Sequence, residues 1–467
     1  MQNTLAIIDE NTNFEGIPAT YSDIYRMHKY WAKKPSNLIN NLIQKYSKKN
    51  EIVLDPFCGS GVSIIESVRA SRKGIGIDIN PIAIFLVKQA LVEIEPNRLE
   101  KEFLNLEKQC KDRINECYKV KRKGVEFVGT HFIWSNGKMV WIRYKPNGRW
   151  YRYKPEDTDV RLAKSFTYKK IKYYFPKQKL FQNAKINASS DQRICDLFTP
   201  RNTYALSLLL DRINKIKDRK IRQLFRFCFS ASLGQASKMV FVNNNYFKNG
   251  KKQKQRPSVG SWVIGYWVPK NHFEINVWNC FVNRYKRILN AKKEQVKEKF
   301  SPVLANKFYK LRRGDVLLIN KTALDGLKKI PTNSIDYVIT DPPHGDRIPY
   351  LELSLMWNSW LQNKVNYENE IVISSSKERK KDVENYNQLL NKTLKEVVRV
   401  LKPNRYLTLM FNTYDHRTWS ELLKTIKRLG LKIEDLSTIE YSQNSVVQEN
   451  KNGGLKHDFL LTFKKIP

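Results

Sequence analysis

Residues 51–61, EIVLDPFCGSG, followed by VSIIESVRASRK over 62–73 and GIGIDIN over 74–80, decide the fold. An apolar run ends in a glycine-rich turn, a helical stretch follows, and a second apolar run ends in a carboxylate at Asp78. PIAIFLVKQAL then reads as a helix over 81–91, which gives the order strand, helix, strand, helix. Gly59 and Gly61 permit a tight turn and close backbone approach, so a ligand can rest on the helix N-terminus at the carboxyl end of a strand. Taken alone this is also an ordinary βα turn. Asp78, at the end of the next strand, adds the acid that usually meets the ribose hydroxyls of an adenosine-containing cofactor.

A second α/β stretch runs from about residue 308 to the end. SIDYVITDPP (334–343) is an apolar strand closing in a polar turn, and YNQLLNKTLKEVVRVLKP (386–403) is an amphipathic helix stopped by Lys-Pro. RYLTLMFNT (405–413) reads as a strand and TWSELLKTIKRLG (418–430) as a helix ending at Gly430. LKIEDLSTIEYS and KHDFLLTFKK are strands around a polar turn at 449–454. Strands alternating with helices predict a doubly wound, Rossmann-like, mostly parallel sheet with helices on both faces.

The 467 residues carry 84 Lys+Arg against 45 Asp+Glu, a formal charge of +39. That excess points to a polyanionic partner, although a Lys- and Asn-rich proteome drifting basic gives the same sign. No apolar run is long enough to span a bilayer, and MQNTLAIIDENTNFEG has no secretory pattern, so a cytoplasmic location is expected. The six cysteines lack CxxC spacing, which argues for a reducing compartment and against structural zinc. Between the α/β stretches lies a basic region. WIRYKPNGRWYRYKP (141–155) and KKIKYYFPKQK (169–179) interleave rings with Lys and Arg, and FKNGKKQKQRP (247–257) reads as a second basic loop. In 141–154 the alternation suits a strand with one packed face and one phosphate-facing face. The candidate nucleic-acid contacts are therefore Arg143, Lys145, Arg149, Arg152, Lys251 and Lys252. The domains expected are a split catalytic unit, 1–95 with 308–467, and an inserted α+β target-recognition region, 96–307.

TDPPHGD (340–346) follows the strand IDYVI. Two prolines fix φ and remove two donors, leaving the Asp341 carboxylate beside outward carbonyls as a rigid acceptor set. Such a set holds both N–H groups of a planar amine and aims its nitrogen at an electrophile, while a flat residue at 344 can stack on the ring. DPP is equally compatible with a rigid strand-end turn.

In this order, both at strand ends, the two motifs resemble those of the S-adenosylmethionine-dependent amino-methyltransferases of nucleic acids, whose loops read (D/E)-x-F-x-G-x-G and (D/N/S)-P-P-(aromatic). RMHKYWAKKPSNLINNLI (26–43) looks like the segment that covers the cofactor's methionine end in bacterial DNA methylases of this group. The resemblance implies that Asp55, Phe57, Gly59 and Gly61 serve the methionine side of S-adenosylmethionine, Asp78 the ribose, and Asp315, in LRRGDVLLI, the adenine. It makes Asp341, Pro342, Pro343 and His344 the clamp for a base flipped from the stack. His344 departs from the usual Tyr or Phe, and Cys58 lies in the cofactor loop rather than in a nucleophile motif, so it reads as loop packing. No metal ligand set is seen.

The implied activity is site-specific methylation of double-stranded DNA, adenine N6 ahead of cytosine N4, attached to restriction–modification or another defence system with a cognate nuclease. Two other readings stay open. RNA or tRNA methylases also use a DPP-type loop followed by Gly, as at Gly345, although no recognisable RNA-binding module precedes the cofactor loop. A decayed methylase serving as a DNA-binding subunit would account for His344.

Overall fold

The computed structural model describes residues 22–145, 149–248, 251–262, 265–312, 314–413, 415–440 and 457–467, with side chains omitted over 244–257. Its central sheet has eight strands: β1 (Ile52–Asp55), β2 (Lys73–Ile77), β3 (Leu304–Ala305), β4 (Val316–Ile319), β5 (Ile335–Thr340), β6 (Leu401–Phe411), β7 (Leu431–Glu440) and β8 (His457–Lys465). Their order is β3-β4-β2-β1-β5-β6-β8-β7. Pairing is parallel from β3 through β6, and β8 runs antiparallel between β6 and β7. The chain leaves β1 toward β2 on one side and later returns to β5 on the other. The loops after β1 and β5 therefore part at the carboxyl edge of the sheet, which is where open α/β sheets bind ligands.

Successive residues of the central strands enter different cores. Val53, Tyr337 and Ile339 pack into one, while Leu54 and Val338 pack into the other. Helices α1 (Ser36–Tyr46), α2 (Val62–Arg69) and α3 (Pro81–Leu91) contribute to the first core. The chain continues into α4 (Pro96–Glu116), α5 (Pro200–Asn214), α6 (Arg219–Ala236) and α7 (Val277–Lys297), which pack on that same core. The second core lies under α8 (Val383–Val400) and α9 (His416–Arg428). Burial on both faces is why these strands read as continuous apolar runs rather than alternating ones.

The inserted region carries a second, six-stranded antiparallel sheet, in the order Tyr151–Tyr153, Lys138–Tyr144, His131–Ser135, Asn271–Ile275, Val240–Lys248, Lys251–Trp262. Two expectations change here. The described residues of FKNGKKQKQRP do not form a loop, because Lys248 pairs with Lys251 and Phe247 with Lys252 in antiparallel strands. The boundary at 307/308 falls too late, because Leu304–Ala305 already pairs with β4. The helices 200–236 and 277–297 also share a continuous apolar core with α3, so the insertion is fused to the α/β unit rather than hung from it.

One buried cation fastens that fusion, and a second ties the insertion's own sheet to its helices. Lys292 Nζ donates to the carbonyls of Gln89 (2.8 Å) and Val92 (2.7 Å), capping the end of α3. Burial pushes its ammonium down to about 7. Arg201, 1% exposed on α5, donates through Nε to Glu274 Oε1 at 3.0 Å and through Nη2 to Oε2, and its guanidinium lies 4.1 Å from the Phe132 ring centroid. Glu274 also accepts from Trp134 Nε1 at 2.9 Å and from Thr199 Oγ1. The pair gives modest net stability while intact, but removing one partner strands a buried charge. Arg201→Met should lower unfolding free energy by about 3–5 kcal/mol. Adding Glu274→Gln should recover part of that loss. Both are checked by denaturant titration, with additive effects excluding the pair as the cause.

Candidate active site

The loop after β1 is organised by Asp55. Its Oδ1 accepts from Phe57 N (3.0 Å) and Thr340 Oγ1 (2.7 Å), and its Oδ2 accepts from Ser63 Oγ. Thr340 is the residue before Asp341, so one carboxylate of 5% exposure joins the two loops. Burial raises its carboxyl to about 6, opposed by the three donors. Gly59, with φ +48°, donates its N–H to Asp78 Oδ2 at 2.8 Å, and a Cβ there would meet the Tyr30 ring at 3.3 Å. Gly61 has φ +80°, and a Cβ would stand 2.5 Å from Val87 Cγ2. It is glycine because α3 packs against the turn, and it lies beneath the loop.

Asp78 caps the next turn, accepting from Asn80 N at 2.8 Å through Oδ1. Burial lifts its carboxyl to about 7, with Asp55 and Glu370 adding to the rise. Asp55, Phe57, Gly59, Asp78, Asp341 and Pro343 line one cleft of about 930 Å³, counting its open mouth. Tyr30, Trp31 and Lys33, from residues 26–43, line it on the side of the N-terminal segment. Cys58 also borders the cleft, but it is 5% exposed and burial pushes its thiol well up, as suits loop packing.

Asp315 does not join this site. It precedes β4 at the amino edge of the sheet, where its carbonyl accepts from Gly74 N and its carboxylate from Val303 N. Asp78 sits at the opposite edge, about 16 Å away from a rise of about 3.3 Å per residue. The residue beyond the carboxyl end of β4 is Asn320, whose Nδ2 donates to the Asp78 and Ile79 carbonyls at 2.9 and 3.1 Å. Asp315 stands at the amino end of this four-residue strand, the end away from the cleft. Sequence reading also missed Glu370, which borders the cleft while held by Arg379 and Leu351 N–H, and Trp31, whose buried Nε1 has no hydrogen-bond partner among the described residues. The aromatic pair at residues 30–31 is the local signal for Trp31, and Glu370 has none.

His344 is not a free stacking ring. Its side chain is 9% exposed, its Nε2 lies 3.1 Å from Met410 O and 2.9 Å from Asp341 Oδ1, and Arg347 donates to its Nδ1 at 3.0 Å. The ring meets Phe411 edge to face at 5.2 Å. The Met410 carbonyl and Arg347 thus engage its two nitrogens, and the ring stands beside Asp341. Pro342 is buried, and the Pro343 carbonyl accepts from Tyr386 OH, which fixes the turn.

The basic insert also departs from the alternating picture. Arg143 pairs with Arg152 across the strands, and both share a face with Trp141. Arg152 lies 3.9 Å over the Trp141 ring, and Arg143 and Lys145 lie 4.9 and 5.3 Å from Trp150. Rings and cations thus share one face, because cation–π stacking holds the charges flat against the sheet. Lys145, Arg149 and Arg152 are exposed, as is Trp150 at 41%. The side chains of Lys251 and Lys252 lie outside the described residues.

Residues 9–89 and 335–466 match the DNA methylase family, which takes in both loops and leaves out the insert. The Type II methyltransferase M.HinfI of Haemophilus influenzae is 37% identical over 75 residues, 16% of this chain and 21% of that protein. M.HpaI of Haemophilus parainfluenzae is 34% identical over 85 residues, 18% of this chain and 24% of that one. M.MvaI of Kocuria varians is 31% identical over 105 residues, covering 21% and 23%. The chain thus spans about a quarter or less of the length of the relatives it matches. The loops organised by Asp55, Asp78 and Asp341 lie within the segments that match the DNA methylase family.

Proposed function

We propose that the protein methylates the exocyclic amine of a base flipped out of double-stranded DNA, adenine N6 ahead of cytosine N4, with S-adenosylmethionine as donor. The observation that carries this reading is the single cleft shared by Asp78 and Asp341, with Asp55 tying their loops together. The residues fit the donor: Asp78 can accept from ribose hydroxyls, Phe57, Ile79 and Ile371 provide apolar walls, and the Trp31 indole N–H is buried without a partner. When bound, S-adenosylmethionine supplies an electrophilic methyl group on a sulfonium. The chain's own part is to accept the amine's hydrogen bonds on Asp341 and to keep that carboxylate aimed by the rigid Pro-Pro turn. Lys145, Arg149 and Arg152, exposed on and beside the sheet, would meet phosphates, contacts that position a duplex without reading it.

Among the described residues no helix is long and apolar enough to cross a membrane. The relatives' designation as Type II methyltransferases supports a role in restriction–modification beside a cognate nuclease, with the enzyme in the cytoplasm. Methyl transfer from tritiated donor to DNA tests activity, and methylation-sensitive long-read sequencing reports the base. Transfer only to RNA, or cofactor binding without transfer to any nucleic acid, would favour the RNA methylase or the decayed form respectively.

Three outcomes are expected. Asp341→Ala should lose more than nine-tenths of turnover while cofactor affinity, measured by calorimetry, changes less than twofold. Cofactor affinity should weaken as pH falls through about 7, because the Asp78 carboxyl, raised to about 7, must be ionised to accept both hydroxyls. Asp78→Asn should abolish that pH dependence and weaken binding at pH 8 by about 1.5–3 kcal/mol. If six basic groups of the insert neutralise phosphates, log affinity should fall with log salt at a slope of about −5. Charge reversal at Lys145, Arg149 and Arg152 together should flatten the slope by about 3, and an unchanged slope would remove this face from the interface.

A further inference from the structure

Behind Asp341 lies a closed ring of five polar side chains. Lys34 Nζ is 3.1 Å from Asp341 Oδ2 and 2.6 Å from Asp458 Oδ2. Arg347 Nη1 is 3.2 Å from Asp458 Oδ1 and donates to His344 Nδ1 at 3.0 Å. His344 Nε2 closes the ring at 2.9 Å from Asp341 Oδ1. Four members are at most 19% exposed, and Asp458, at 2%, is the most buried. The ligand atoms of Asp341, His344 and Asp458 lie close enough to suit a metal ion, but the ammonium of Lys34 and the guanidinium of Arg347 already supply two positive charges against two carboxylates.

Three distant parts of the chain meet here: the segment before α1, the loop after β5, and the start of β8. Asp458 arrives because β8 is antiparallel, so its first residues stand at the edge where the parallel strands end, Phe459 opposite Phe411. Asp458 holds Lys34 with one oxygen and Arg347 with the other; Lys34 touches Asp341 Oδ2 directly, and Arg347 reaches Asp341 only through the His344 ring, whose Nε2 lies near Oδ1. Arg347 donating to Nδ1 leaves the proton of a neutral His344 on Nε2, which donates to the Met410 carbonyl at 3.1 Å with Asp341 Oδ1 2.9 Å from the same nitrogen.

We propose that Asp458 is a positioning residue for methyl transfer, setting the orientation of the Asp341 carboxylate and the tautomer of His344 through Lys34 and Arg347. The proposal rests on the reading of Asp341 as the acceptor for the target amine. Its test has two arms on the full-length protein. In the first, 15N-histidine NMR, with His344→Gln assigning the signal, should show Nε2–H in the wild type and a shifted tautomer balance in Asp458→Asn. This arm does not need activity. In the second, Asp458→Asn should lower kcat 30-fold or more while KM for DNA and cofactor affinity stay within twofold, and its effect should be non-additive with His344→Gln.

An unchanged His344 signal, or a kcat within threefold of wild type, overturns the proposal. If Asp458→Asn does not fold, Arg347→Met takes its place with the same expectations, and a normal kcat in that variant overturns the proposal too. An inactive wild type with the predicted tautomer shift would defeat the methylase reading and the catalytic role built on it, while leaving the ring itself standing.

Discussion

A hydrogen bond from the Thr340 hydroxyl to the Asp55 carboxylate, 2.7 Å long and closed from water, holds together two loops that the sequence separates by nearly 300 residues. Strands β1 and β5 are neighbours in register, Val53 opposite Tyr337 and Leu54 opposite Val338, so their ends emerge side by side. Backbone pairing brings the ends close, but it does not fix how each loop leaves its strand. Asp55 does that by accepting at once from its own loop (Phe57 N), from the first turn of α2 (Ser63) and from the end of β5 (Thr340). The relative placement of Asp78 and Asp341 then follows, since Gly59, in the Asp55 loop, holds Asp78, and Thr340 precedes Asp341.

That arrangement costs stability. Asp55 and Asp78 both titrate above the ordinary carboxylate range, near 6 and 7, chiefly because burial disfavours their ionised forms. For an acid whose folded value exceeds its unfolded value, the native state binds the extra proton, so stability is lost as pH rises from about 4 toward 7. At neutral pH the cleft carries close, poorly hydrated negative charge. A cationic ligand offering hydroxyl donors would relieve that strain, which is how a destabilised site can become an affinity.

The insertion shows a related economy. Its helices complete the first core instead of building their own, the buried Lys292 makes the join specific, and the buried Arg201 ties the insertion's sheet to its helices. Four backbone or side-chain acceptors surround Lys292, and Glu274 answers Arg201 in two places. A sheet carrying rings and cations on one face is thus mounted on the same helical layer that supports α3. Any duplex seated on that face would be registered against a rigid body.

The sequence by itself determined the sheet class, because strands buried on both faces must be apolar throughout and helices must show a 3.6-residue stripe, and both signals are local. It also determined the glycines at 59 and 61 and the acids at 55, 78 and 341, since turns and strand ends are written in a few adjacent residues. Direction and packing are not. Asp315 and Asn320 bracket the same short strand, and only its parallel pairing with β2 says which end meets the cleft. His344 looks like a stacking ring until Met410, Arg347 and Asp341 are seen to occupy its nitrogens. The alternation of Trp141, Arg143 and Arg152 suggested two opposed faces, yet the strand register puts all three on one. Asp458 gave no signal at all, since its position depends on an antiparallel strand entering last and starting where the others end.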